Sequence, residues 1–192
     1  HQLFAQTLMT IVNGEIRQHF SSRGLVSRSD YEERIYAKTA ALFVLATEAA
    51  AVLGQADAQG LEAVRTFGRQ VGIAYQIVDD ILDFSNDPDR IGKPVGGDLR
   101  QGLVTLPILC YLEQAEDDNP VNAVLSGQRD EALLSERVRV AIEAVRSSGA
   151  IEAALAEARG HARQSQEALA TLPGNAASHT LRALAGYVVE RR

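Results

Sequence analysis

Residues Gln76 to Phe84 read QIVDDILDF, placing three carboxylates, Asp79, Asp80 and Asp83, within little more than one helical turn. At about 100° per residue on an ideal helix, they share an arc with Gln76, Gly72 and Arg69. Opposite lies a broad apolar arc of Ile77, Val78, Ile81, Leu82 and Phe84. Like charges at this spacing repel by roughly 0.2–0.5 kcal/mol per pair, so the face is either solvated or neutralised by a cation. Aspartate is a poor helix former, and no Lys or Arg is spaced to neutralise the cluster within its turn. Three hard oxygen donors at i, i+1 and i+4 suit Mg²⁺, which keeps several waters and shares its other positions with substrate phosphates. The helical wheel leaves both readings, wet surface and metal site, open.

Two lysines complement the cluster. Lys38 sits inside the apolar run IYAKTAALFVL, where a charge is costly unless paired, and Lys93 sits in the glycine-rich IGKPVGGD. Each reads either as a phosphate-binding cation or as an ordinary surface lysine with a buried stem. Glu116, Asp117 and Asp118 are equally acidic but lie beside Asn119-Pro120 without apolar flanks, and read as a solvated loop. The four histidines lack metal-ligand spacing and read as structural. No nucleophile motif and no dinucleotide-binding glycine pattern occurs.

At 192 residues and 46% hydrophobic content, the chain is long enough for one sizeable core. The net charge of −6, without clustered Lys and Arg, excludes nucleic acid as the expected partner. The single cysteine, Cys110 in LPILCYL, rules out a disulfide within the chain, and a reduced buried thiol in a cytoplasmic setting is expected. No run reaches the roughly 18 apolar residues of a bilayer span, so no stable membrane insertion is expected. The opening HQLFAQTLMT lacks a signal-peptide pattern. Apolar periodicity through Leu3, Phe4, Leu8, Ile11 and Val12 is already running at His1, the expectation being a chain that begins mid-protein.

Helical periodicity dominates throughout, and the expected fold is all-α. A first helix runs to about Phe20. A second starts at Ser29, where Ser29 and Glu32 fit a capping box, and ends near Gly54. A third carries LEAVRTFGRQVGIAYQIVDDILDF, and Asp87-Pro88 ends it. NDPDRIGKPVGGDLRQG reads as a long flap, after which Thr105 caps a helix with Pro107 in its first turn. The remainder is Ala-rich helix broken at Gly127, Ser147 to Gly149 and Pro173-Gly174.

Taken in order, GEIRQ (14–18), KTAALF (38–43), FGRQVGIAYQIVDDILDF (67–84), GKPVGGDLRQGLVTLP (92–107) and the ending YVVERR resemble the trans-isoprenyl diphosphate synthases, or polyprenyl synthetases. The resemblance implies the C-terminal part of the isoprenoid synthase helical fold, a single all-helical domain over 1–192. It also implies a Mg²⁺-dependent condensation of an allylic diphosphate with isopentenyl diphosphate, and a homodimer. Carried over by position, Asp79, Asp80 and Asp83 match the second aspartate-rich metal motif, with Asp79 and Asp83 the direct ligands. Lys38 and Lys93 match lysines on the allylic diphosphate, Thr39 and Gln76 match cavity-lining positions, and Asp98 lies near the metal. GDLRQGLVTLP is more similar to medium- and long-chain quinone-tail synthases, which implies a farnesyl or geranylgeranyl starter. The family's first aspartate-rich motif belongs upstream of GEIRQ, and the chain holds no second DDxxD. The implication is a fragment inactive alone, with a non-catalytic subunit of a heteromeric synthase as the alternative.

Overall fold

The computed structural model describes residues 1–21, 26–84, 95–127 and 130–191, and among them every regular element is helical. Helix α1 spans Gln2–Ser21. Helix α2, Arg28–Ile35, passes through a π-helical turn, Tyr36–Ala40, directly into α3, Ala41–Leu53. Helix α4, Ala58–Leu82, is the longest at 25 residues. Four short or medium helices follow: α5 Gly97–Arg100, α6 Leu106–Leu112, α7 Pro120–Leu125 and α8 Glu131–Ser147. Helix α9, Ala150–Ala168, ends in a 3₁₀ turn, and α10 spans Ala176–Glu190.

Several boundaries differ from the sequence expectation. The capping box of α2 is made by Ser27 and Asp30, two residues before Ser29 and Glu32, each side chain bonding the other's backbone amide. Asp57 caps α4 through the Gly60 amide at 2.7 Å. Thr105 does stand at the N-cap of α6, but its hydroxyl makes no capping bond and is buried without a partner. The flap is shorter than expected, because Gly97–Arg100 is already helical. The breaks at Gly127 and Gly149 are as expected, both glycines taking positive φ. Glu116, Asp117 and Asp118 are exposed between helices, as a solvated loop requires.

Helix α4 is the axis of the molecule. Ile73, Ile77 and Val78 join the larger apolar cluster with Tyr31, Leu106, Ile108 and Val145, while Phe67, Val71 and Ala74 join a second with Leu169, Ala185 and Val188. Small residues let its neighbours come close. On α9 the buried stripe Ala150, Ala154, Ala158 and Ala162 recurs every four residues, and α9 packs along α4. On the other side, a Cβ on Gly72 would stand 2.6 Å from Ala40 Cα, inside the π turn. Gly72 is therefore the contact that brings the π turn onto α4.

The run Arg28–Leu53 is long and apolar enough, by length and composition, to cross a bilayer, contrary to the sequence expectation that no such segment exists. Part of its apolar content is spent inside the protein, because this run packs along α4. The rest is exposed: Leu42 and Leu53 on α3, like the stripe Phe4, Leu8, Met9, Val12 and Ile16 on α1, are about half exposed or more, and the two helices are in contact.

Candidate diphosphate and metal site

The π turn carries Lys38 and Thr39, and α4 presents Gln76, Asp79, Asp80 and Asp83 beside it. A π turn inserts an extra residue into the helical ladder and often marks a functional segment. Here it turns Thr39 inward, where its hydroxyl donates to Gln76 Oε1 at 2.5 Å. The same Gln76 donates through Nε2 to Asp80 Oδ1 at 2.8 Å, four residues on. Tyr31 of α2 completes the chain by donating to Asp80 Oδ2 at 2.8 Å. Above Tyr31, the Arg34 guanidinium lies 5.5 Å from the ring centroid and donates to the Val104 carbonyl.

The three aspartates share an arc but not an environment. Asp80 is buried, with both oxygens occupied by Gln76 and Tyr31. Burial pushes its carboxyl up to about 7, against the two hydrogen bonds that favour the ion, with Asp98 adding repulsion. Asp79 is exposed and Asp83 half-buried. Burial and then the Asp98 charge raise Asp83, with a further push from Asp79, while two backbone amides hold it down. Those amides are Gly97 N and Asp98 N, each 3.2 Å from one Asp83 oxygen. The Gly96 amide donates to the Asp83 carbonyl at 3.0 Å, Gly96 itself being left-handed at φ 75°. The GGD segment is thus wrapped around the last turn of α4.

Thr39 and Gln76 meet where the π turn packs on α4, while Lys38 on the π turn and Asp79 on α4 are both exposed and Asp83 is half-buried. The exposure of Lys38 is allowed by both readings of it, phosphate-binding cation and surface lysine. Lys93 lies outside the described residues. Sequence reasoning missed Tyr31 and Arg34. Nothing in the sequence pairs Tyr31 with Asp80, 49 residues away.

No three His, Cys, Asp or Glu side chains among the described residues converge on one metal position. Yet Asp79 and Asp83 are two carboxylates one turn apart, and the charges that act on Asp83 among the described residues, Asp98 and Asp79, are both negative. That incomplete set fits Mg²⁺, which takes one or two carboxylates and fills its octahedron with water and phosphate oxygens. It does not fit a cage built from protein alone.

The architecture and this site together define an all-α scaffold of the isoprenoid synthase class. The chain belongs to the polyprenyl synthetase family, whose family model, described as Polyprenyl synthetase, matches residues 1–145. It is 39% identical over 173 residues to a short chain isoprenyl diphosphate synthase of Methanothermobacter thermautotrophicus, covering 90% of this chain and 52% of that protein. It is 35% identical over 193 residues to heptaprenyl diphosphate synthase component 2 of Bacillus subtilis, covering 100% of this chain and 54% of that one. Among solved structures, a polyprenyl synthase from Caulobacter crescentus complexed with calcium and isoprenyl diphosphate superposes with a TM-score of 0.88 at 34% identity, over 100% of this chain and 58% of that one. Heptaprenyl diphosphate synthase from Staphylococcus aureus gives 0.89 at 28% identity, over 100% and 59%. The chain spans about half the length of the curated relatives it matches.

The Asp80 environment generates a prediction with a definite sign. Its folded-state pKa lies above the ordinary carboxyl value of 3.8, so the folded protein keeps a proton that the unfolded chain releases. Ionisation therefore costs the metal-free fold progressively from about pH 4 to about pH 7, and fully above that. In urea denaturation without metal, the stability of Asp80→Asn relative to wild type should rise by on the order of 4 kcal/mol between pH 4 and pH 8, at about 1.4 kcal/mol for each pH unit between the two values. A difference independent of pH would contradict the assignment.

Proposed function

We propose that this chain supplies one carboxylate wall of a prenyl diphosphate synthase, in which isopentenyl diphosphate extends an allylic diphosphate. The observation that carries the reading is the presentation of Asp79 and Asp83 on one turn, fixed from behind by Asp80 and from below by the GGD amides. The divalent cation and isoprenyl diphosphate named for the Caulobacter crescentus structure support the same ligands here.

In this reading Asp79 and Asp83 hold Mg²⁺, with Asp98 close enough to Asp83 to share its field. Bound there, Mg²⁺ opposes the negative charge that grows on a departing diphosphate. Lys38, exposed at the mouth of the site, and Lys93 are the cations that meet the diphosphate oxygens. The allylic C–O bond breaks with its electron pair leaving on the diphosphate. The isopentenyl double bond attacks the allylic carbon, and loss of a proton restores an alkene. Thr39 and Gln76 hold the wall polar beside the reacting carbon. Their hydrogen bond fixes the Gln76 amide so that its oxygen faces Thr39 and its nitrogen faces Asp80.

The reading assigns the opposite carboxylate wall to the first aspartate-rich motif of the complete protein, so the isolated chain is inactive. A homodimer is proposed, with the exposed apolar stripe of α1 as an element of its interface. The name of the Bacillus subtilis relative, component 2, supports a second reading, in which the complete protein acts with a different polypeptide.

Assay of the complete enzyme with labelled isopentenyl diphosphate and farnesyl diphosphate decides between these. We expect Mg²⁺-dependent turnover from the one polypeptide, lost by at least about 100-fold in Asp79→Ala and Asp83→Ala, consistent with removing electrostatic stabilisation of the leaving group. Turnover that survives both substitutions refutes the site, and turnover that appears only with a second polypeptide favours the heteromer. Light scattering of the complete enzyme should show a dimer that Leu8→Glu splits, and a dimer unaffected by that charge would remove α1 from the interface.

A further inference from the structure

On the face of α4 opposite Asp79 and Asp83, a groove of ≈ 600 Å³ opens between α4, α9 and α10. Its floor is apolar: Val78, Ile81 and Leu82 of α4 meet Ile151 and Leu155 of α9 and Val189 of α10. Gly186 lines it on the α10 side, where the missing side chain keeps the groove open. A volume of this size accommodates one small-molecule ligand.

The rim is lined by three arginines, Arg159, Arg163 and Arg191. Arg159 and Arg163 stand one turn apart on α9, both exposed, and neither makes a hydrogen bond or ion pair with a described residue. Arg191 closes the end. Its guanidinium is held 4.0 Å over the Tyr75 ring and donates to the Tyr75 carbonyl, while its Nε is buried without a partner. Among the described lining residues, Glu190 is the one acid set against these three cations, in a chain whose net charge is −6. Arginine presents a planar fork of donors suited to phosphate oxygens.

We propose that this groove is a second binding site, for the prenyl diphosphate itself, with the isoprenoid chain on the α4–α9 floor and the diphosphate on Arg159, Arg163 and Arg191. The choice of a prenyl diphosphate rests on the function proposed above. A concave groove of this volume suits a single lipid molecule better than a bilayer surface. The site needs no metal, because its cations are side chains, and this separates it from the Asp79 and Asp83 wall.

Calorimetric titration of farnesyl diphosphate into this chain in EDTA, below the micellar concentration, tests it. We expect saturable one-to-one binding that is unchanged in Asp79→Ala/Asp83→Ala. It should weaken at least tenfold in Arg159→Ala/Arg163→Ala, both exposed positions, and at least tenfold in Leu155→Trp, which fills the floor. Inorganic diphosphate and farnesol should each bind at least tenfold more weakly than the intact ligand. Absence of metal-free binding overturns the site, as does binding indifferent to the arginines. Co-sedimentation with anionic phospholipid vesicles through Arg159 and Arg163, without binding of monomeric farnesyl diphosphate, would overturn it in favour of a membrane contact. Binding that requires Mg²⁺ and is lost in Asp79→Ala/Asp83→Ala would support the function above while refuting this groove.

Discussion

A buried carboxylate is costly unless both its oxygens find donors, and the arrangement of this protein follows from how Asp80 finds them. One donor is on its own helix, Gln76, and the other comes from α2, Tyr31. Satisfying Asp80 therefore requires α2 to lie along α4, and because α2 runs without a break into the π turn, Thr39 is delivered to Gln76. Four side chains form one hydrogen-bonded line. Its ends fix the register of the two segments that bear Lys38, Thr39, Gln76, Asp79 and Asp80. The charged neighbours Asp79 and Asp83 are left outward, where a cation and a phosphate can reach them.

Packing makes that line attainable. Gly72 removes the side chain that would collide with Ala40, and Gly68 does the same against Phe43, where an added Cβ would stand 2.9 Å from the carbonyl oxygen. On the far side of α4, the alanine stripe of α9 gives a similarly close approach. A helix buried on both flanks can hold its terminal turn rigidly. The GGD segment then closes that turn with backbone amides on Asp83. Rigidity matters because electrostatic help to a leaving group is worth most when the charges do not have to move.

Much of this was legible in the sequence, for identifiable reasons. The all-α class followed from apolar periodicity, and the breaks at Gly127 and Gly149 from glycine's tolerance of positive φ. The alignment of Gln76, Asp79 and Asp83 on one arc followed from helical geometry alone. What the wheel could not show was depth. Asp79 and Asp80 are adjacent and lie about 100° apart, which is enough to put one in solvent and the other in the core. Tyr31 lies 49 residues from Asp80, and a contact of that range leaves no local trace. The capping box was misplaced by two residues because Ser27/Asp30 and Ser29/Glu32 share the same spacing, and only the path of the chain chooses between them. Apolar sequence neighbours left Lys38 open between two readings, and its exposure follows because a helix turns one face to solvent however apolar its flanks.

The central claim is a division of labour, with Asp79 and Asp83 turned toward a cation and Asp80 turned away to anchor the helix. Carboxyl-carbon NMR of this chain, with inorganic diphosphate present and Mn²⁺ titrated in place of Mg²⁺, measures that division directly. The account predicts strong paramagnetic broadening of the Asp79 and Asp83 carboxyl resonances at Mn²⁺ levels that leave Asp80 resolved, still coupled to the Tyr31 hydroxyl. Broadening of Asp80 as strong as that of Asp79, or no selective broadening at all, would contradict it.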